Sequence, residues 1–209
     1  MKVIIFGATG GTGSQLVTQA LEKGHDVTAF ARRPEKLELD HQGLKVVQGD
    51  VLDLASVEMA IQGQDAVLCS LGTPPMNKKK LRANGTKNII HAMEKTDVRR
   101  IICQSALGCG DSSHLLPFHY KYLILPLILR HVYADHEIQE KYIRESKLKW
   151  TIVRAAALIN GEHTGTYRHG FTLGDKSLIM KISRADVADF MLKQLVDDTY
   201  LHKTASISY

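Results

Sequence analysis

The chain has 209 residues, enough for one globular domain whose core needs no disulfide or metal to hold it. With 44% hydrophobic and 23% charged residues it is not a disordered or low-complexity protein. A net charge of +5, with basic runs only at Arg32-Arg33 and Lys78-Lys79-Lys80, is too mild for a nucleic-acid binder and leaves the lysine run as a solvated loop.

Cys69, Cys103 and Cys109 form neither a CxxC pair nor a disulfide framework, so a reduced, cytoplasmic setting is expected and structural zinc is not. The apolar run before Gly7 is too short for a secretory signal. Leu123–Leu129, the most apolar stretch, is broken by Pro126 and falls far short of the roughly 20 residues of a membrane span.

In chain order, Lys2–Phe6 reads as a buried strand. Ser14–Lys23 carries Leu16, Val17, Ala20 and Leu21 at helical spacing, and Gly24 stands where a helix ends. Val27–Ala31 and Lys45–Gln48 are the second and third strands. Ser56 is expected to cap a short helix to Ile61, and Asp65–Leu71 to form the fourth strand. Asn84–Lys95 reads as a helix with Ile89 and Met93 in register, and Arg100–Ser105 as the fifth strand.

Residues 106–133 break this rhythm with glycines, serines and prolines ahead of an aromatic-aliphatic run. A helix resumes over Ala134–Ser146, with Ala134, Ile138 and Tyr142 on its expected apolar face. Trp150–Arg154 is the sixth strand. Ser183-x-x-Asp186 resembles a capping box opening a helix over Arg184–Val196, with Val187, Met191 and Leu195 inward, and Lys203–Ser208 closes the chain as a strand.

Alternating strands and helices at this spacing predict an α/β fold: a doubly wound, mostly parallel sheet with helices on both faces. One domain is expected over 1–209, with 106–133 and 155–182 as substrate-side loops.

Gly7-Ala-Thr-Gly10-Gly11-Thr-Gly13 lies between the first strand and the first helix. Such a loop leaves no side chain where a pyrophosphate approaches, and the following helix N-terminus offers free N–H groups and partial positive charge. The strand–loop–helix–strand context makes this a dinucleotide site of the Rossmann type. An acidic residue about 20 positions on would grip a ribose 2′-hydroxyl. Arg32 and Arg33 stand there instead, and two guanidiniums suit a 2′-phosphate. NADP(H) is therefore expected over NAD(H). Strand ends supply two further candidates: Asp50, placed either to meet an adenine or merely to begin a turn, and Leu71-Gly72-Thr73, whose backbone can line a ribose.

The stretches GATGGTG, ARRPEKL, GDVLD, SLGT, NGTKNII and KLKWTIVR resemble the atypical short-chain dehydrogenase/reductase superfamily, with NmrA-like members, over nearly the whole chain. The likeness is greatest to the biliverdin reductase B and NADPH-dependent flavin reductase group. It implies a single-domain Rossmann fold, bound NADPH, and hydride transfer to flavins, bilins or quinones. It implies that Gly7, Thr9, Gly10, Gly11, Thr12 and Gly13 hold phosphates, that Arg32 and Lys36 meet the 2′-phosphate, that Asp50 and Val51 flank the adenine, and that Gly72-Thr73 lies at the ribose. Ser105 matches a serine beside the nicotinamide, and Asp135-His136 an Asp-His pair near the cofactor. Two features depart from that pattern. Arg154-Ala-Ala-Ala157 replaces a histidine after the sixth strand, and the segment between Ser105 and His136 is longer.

The usual carbonyl-reducing acid of this superfamily is a tyrosine followed four residues on by lysine, whose charge lowers the tyrosine pKa. None of the seven tyrosines has that lysine. Hydride delivery to an electron-poor acceptor needs chiefly a face-to-face arrangement in an apolar pocket, for which Phe118, Tyr120, Tyr122 and the aliphatic run after them are candidates, the alternative being ordinary core or a dimer surface. Ser105 and His136 are the candidate catalytic residues, each with a structural alternative: a cap for the serine, a helix-surface position for the histidine. The expected function is an NADPH-dependent reductase of a small flavin, bilin or quinone acceptor. The alternative is a non-catalytic NADP(H) sensor. No metal, nucleic acid or membrane span is expected, and the chain should be a monomer or weak homodimer.

Overall fold

The computed structural model describes residues 1–74, 80–116, 118, 120–171 and 178–209. Six parallel strands, β1 (Lys2–Phe6), β2 (Asp26–Ala31), β3 (Leu44–Gln48), β4 (Ala66–Cys69), β5 (Arg100–Ala106) and β6 (Lys149–Ala155), stand in the order 3-2-1-4-5-6. The sheet continues through two later strands. β10 (Lys203–Ser208) lies parallel to β6, and β8 (Arg168–His169) lies antiparallel at the edge. A separate short parallel pair joins β7 (Ala157–Ile159) to β9 (Lys181–Ser183).

The sheet is buried on both faces, so its central strands are apolar at every position rather than alternating. Val3 and Ile5 join one core with Leu16, Val17, Val187 and Met191, from α1 (Gly11–Glu22) and α5 (Arg184–Lys193). Ile4 and Phe6 join the other with Val57, Ile89, Met93 and Ile143. Those four come from α2 (Leu54–Ile61), α3 (Leu81–Glu94) and α4 (Arg130–Glu145). Among the described residues no helix is long and apolar enough to cross a membrane.

Ser183 caps α5 as expected, its Oγ accepting from the Asp186 amide at 3.0 Å. Three expectations need correction. Asp53, not Ser56, caps α2, accepting from the Ala55 amide at 3.2 Å. Helix α3 begins at Leu81, three residues early, because its first amides are capped from elsewhere: Asp135 on α4 accepts from Arg82 N and Ala83 N at 3.1 and 2.9 Å. Residues 106–133 are not simple loop. A 3₁₀ turn over Gly110–Leu115 and a wide, π-type helical stretch over Tyr120–Leu129 lead directly into α4.

The face of α4 also differs. Ala134 is exposed and Ile138 and Tyr142 only partly buried, whereas Tyr133, Asp135, His136, Gln139, Glu140 and Ile143 are buried. A stripe this polar is buried because it faces a cavity and a charged network rather than an apolar core.

Candidate active site

The strand order reverses between β1 and β4, and at such a reversal the carboxyl ends of the strands leave a crevice. A cavity of about 1200 Å³ opens there. The glycine loop forms its floor. Gly7 has a φ of +84°, and a side chain on it would meet the Ser70 carbonyl at 2.5 Å. A Cβ on Gly13 would lie 2.0 Å from the Gly7 carbonyl, so only glycine allows α1 to start this close to β1. Helix α1 has Gly10 before it, no side-chain cap and no acidic residue in its first turn. Its leading N–H groups therefore remain free to bind an anion, and these features fit a dinucleotide pyrophosphate.

Of the fourteen residues expected to bind cofactor, Gly7, Thr9, Gly10, Gly11, Thr12, Arg32, Arg33, Lys36, Val51, Leu71, Gly72 and Thr73 line the cavity. Arg32, Arg33 and Lys36 are exposed and form a cationic rim at one end. Gly13 lies behind the loop as a packing residue. Asp50 lies off the cavity lining, and its carboxylate is engaged in its own turn, accepting from Leu52 N at 2.9 Å.

At the other end stand Ser105 and His136. Ser105, one residue before the end of β5, is buried and donates from Oγ to Glu140 Oε1 at 2.6 Å. With its proton so committed, its lone pairs are left to accept. His136 is not a helix-surface histidine but a buried one. Gln139 Nε2 donates to Thr86 Oγ1 at 2.9 Å, so Gln139 Oε1 faces the His136 Nδ1 at 3.1 Å as an acceptor. That fixes the proton on Nδ1 and leaves Nε2 as an acceptor. Burial, reinforced by the Arg82 charge, drives the imidazole pKa down to about 3. His136 is therefore neutral at physiological pH and suited to contact rather than proton delivery.

The predicted aromatic wall is only partly there. Tyr120 and Tyr133 line the cavity, with Leu116, Leu129 and Val132. Phe118 and Tyr122 lie outside it, exposed, with their tilted rings in contact at a centroid separation of 4.6 Å. The Tyr133 hydroxyl donates to the Leu107 carbonyl at 2.7 Å, and burial raises its pKa further, so it is no acid. Of the lysine run only Lys80 is described, and it is exposed; Lys78 and Lys79 lie outside the described residues.

Several residues at the site escaped the sequence reading. Glu140 is buried under Ser105, and Arg154 grips it twice, Nε to Oε1 at 2.9 Å and Nη2 to Oε2 at 2.8 Å. Arg144 adds a contact to Oε2 at 2.5 Å, and Arg154 also reaches Asp111 at 2.5 Å. Burial alone would push the Glu140 carboxyl up, but the two guanidiniums and Ser105 outweigh it and hold the group below the usual carboxylate range. Arg82 is buried at the same end, donating to Thr73 Oγ1 at 3.0 Å and 3.6 Å from Asp135. Arg184, the first residue of α5, lies over Gly11, its Cδ 2.6 Å from where a Cβ would be. It donates to Asn160 Oδ1 at 2.7 Å and brings a cation beside the phosphate loop.

A sequence profile of the NAD(P)H-binding family matches residues 7–198. An uncharacterized chloroplastic protein of Arabidopsis thaliana is 32% identical over 173 residues, 78% of this chain and 61% of its own length. The photosystem II assembly factor Ycf39 of a Synechocystis strain is 24% identical over 215 residues, 98% of this chain and 61% of its own length. The chain thus spans about three fifths of these relatives.

Among solved structures, the anaerobilin reductase ChuY of Escherichia coli O157:H7 superposes with a TM-score of 0.81 at 23% identity, covering 99% of this chain and 96% of that one. A short-chain dehydrogenase/reductase of Veillonella parvula in complex with NADP gives 0.82 at 20% identity, covering 100% and 94%. At these identities the likeness is one of fold. With the glycine loop, the strand reversal and the matched profile in agreement, the chain belongs to the NAD(P)H-binding family and has a Rossmann fold.

Proposed function

We propose that the chain is an NADPH-dependent reductase that delivers hydride to a flat, conjugated acceptor of the flavin, bilin or quinone class. The observation that carries this reading is one continuous cavity with a cationic rim at one end and an apolar wall beside Ser105 at the other. Arg32, Arg33 and Lys36 would hold the 2′-phosphate and select NADP(H) over NAD(H). The glycine loop and Arg184 would hold the pyrophosphate. Val51 and Leu71 would pack on the adenine, Gly72 and Thr73 would line a ribose, and Asp50 would act by shaping the turn beside the adenine.

Bound NADPH would supply the hydride. Ser105, its proton given to Glu140, would accept from the nicotinamide amide and fix the ring's orientation. His136 would contribute a neutral acceptor and a dry wall. Tyr120, Leu116, Leu129 and Val132 would stack against the acceptor and exclude water. An electron-poor acceptor takes its proton from solvent, so a cavity without a tyrosine–lysine acid suffices. The anaerobilin reductase among the fold neighbours makes a bilin a natural acceptor to include. The buried thiols accord with a reducing, cytoplasmic setting.

The test is NADPH oxidation with FMN, a soluble quinone and biliverdin, each with wild type and Ser105→Ala. Turnover with at least one acceptor, slowed by Ser105→Ala by more than NADPH affinity is weakened, is expected. Tight NADPH binding without turnover on any acceptor would replace this reading with a non-catalytic NADP(H) sensor. One observation favours that second reading: the protons of Ser105, Tyr133 and His136 are all directed at protein acceptors.

A further inference from the structure

Five of the molecule's exposed large hydrophobic side chains lie within one segment beside the cavity. Phe118 is 77% exposed, Tyr122 55%, Leu123 56%, Leu127 76% and Ile128 54%. The same segment supplies Tyr120 and Leu129 to the cavity wall, and Ile179 on the cavity lining is itself 63% exposed. Apolar surface gathered this way marks an interaction site rather than ordinary scatter. Its charge is one-sided. No aspartate or glutamate occurs between Asp111 and Asp135, while Lys121 and Arg130 bracket Tyr122, Leu123, Leu127 and Ile128. Lys80 stands exposed just ahead of α3, whose first amides are held by Asp135 of α4.

We infer that this segment docks the protein on an anionic lipid bilayer, with the apolar side chains sunk into the headgroup boundary and the cations on the lipid phosphates. An apolar face edged by lysine and arginine is the pattern of interfacial elements that lie on a membrane without crossing it. A second copy of the chain fits less well. In a two-fold pairing the segment would meet itself, and Lys121 and Arg130 of one copy would be brought to a surface that carries the same two cations and, in this segment, no carboxylate to pair them. Docking in this pose turns the Tyr120–Leu129 side of the cavity toward the bilayer. An apolar acceptor dissolved in lipid then reaches the site without crossing water. That consequence rests on the reductase reading; the docking itself does not.

The intact chain is sedimented at low salt with vesicles of phosphatidylcholine alone and of phosphatidylcholine mixed with phosphatidylglycerol. Binding to the mixed vesicles is expected. The double variant Leu127→Gln/Ile128→Gln should weaken it about tenfold or more, and Lys121→Ala about fivefold. Both substitutions lie off the cavity lining, so an unchanged NADPH affinity in each variant shows that the fold is intact.

Absence of wild-type binding, or equal binding by the glutamine variant, overturns the inference. So does a wild-type dimer in sedimentation velocity that the glutamine variant dissolves, without vesicle binding. Because sedimentation needs no turnover, a failed acceptor screen would refute the reductase and leave the docking result standing.

Discussion

Replacing His136 with glutamine should flatten the acid side of the stability profile. The folded imidazole resists protonation until about pH 3, whereas the unfolded one titrates near its ordinary 6.5. Between those values the unfolded chain binds a proton that the folded chain refuses, so stability falls as pH falls through that window. Going from about pH 7 to about pH 5, linkage to this one group costs about 2 kcal/mol. The carboxyls that also lose stability in acid, Glu140, Asp111, Asp186 and Asp189, are held below their usual range and so titrate lower still. Stopping near pH 5 separates them from the histidine. Urea unfolding of wild type and His136→Gln at both pH values reads the difference directly. Wild type should lose about 2 kcal/mol more than the variant. Equal losses would refute the assignment of His136 as a buried neutral group and reopen its role as a proton donor.

Other substitutions probe the remaining parts of the site. Arg32→Ala with Arg33→Ala should weaken NADPH binding about tenfold or more while leaving NADH affinity nearly unchanged, as read by fluorescence titration with both cofactors; an unaltered preference would remove these arginines from the 2′-phosphate. Glu140→Ala removes the buried counterpart of Arg154 and should cost about 3–5 kcal/mol in urea denaturation. A loss below about 1 kcal/mol would mean that the pair is solvated rather than buried. Gly13→Ala should abolish NADPH binding and lower the thermal midpoint, since its methyl group has nowhere to go but into the Gly7 carbonyl; binding at wild-type strength would contradict the packing of α1 on β1.

Much of the sheet was legible because its determinants are local. Runs such as Val3–Phe6 need only be apolar and short, and the glycine loop announces itself by sitting between a strand and a helix. The stripe on α1 follows the helical period through residues that are also apolar, so reading the pattern finds the buried face. On α4 the two criteria part. The apolar residues Ala134, Ile138 and Tyr142 mark the wrong side, because the inward positions belong to Tyr133, His136, Gln139 and Glu140. A histidine, a glutamine and a glutamate at helical spacing were the available signal, one that apolar periodicity overlooks.

Long-range pairing hid the rest. The amides that start α3 are held by a carboxylate more than fifty residues away, so no local cap marks Leu81. The distant partners of Glu140 come from β5 and β6, which only the folded topology brings to α4.

The buried pair of Glu140 and Arg154, which Asp111 meets from the surface, bears on how the sequence can drift. Neutralising either member leaves the other charge enclosed without its buried counterpart, while replacing the enclosed pair by apolar residues of similar volume carries no such penalty. Substitution at these positions should therefore be concerted. Natural variants that lose the Arg154 guanidinium should lose the Glu140 carboxylate in the same lineage, and with it the fixed hydroxyl of Ser105. A collection of homologous sequences sorted by those two positions would then divide into groups that hold the nicotinamide end of the cavity by different means, and acceptor range is the property along which those groups should separate.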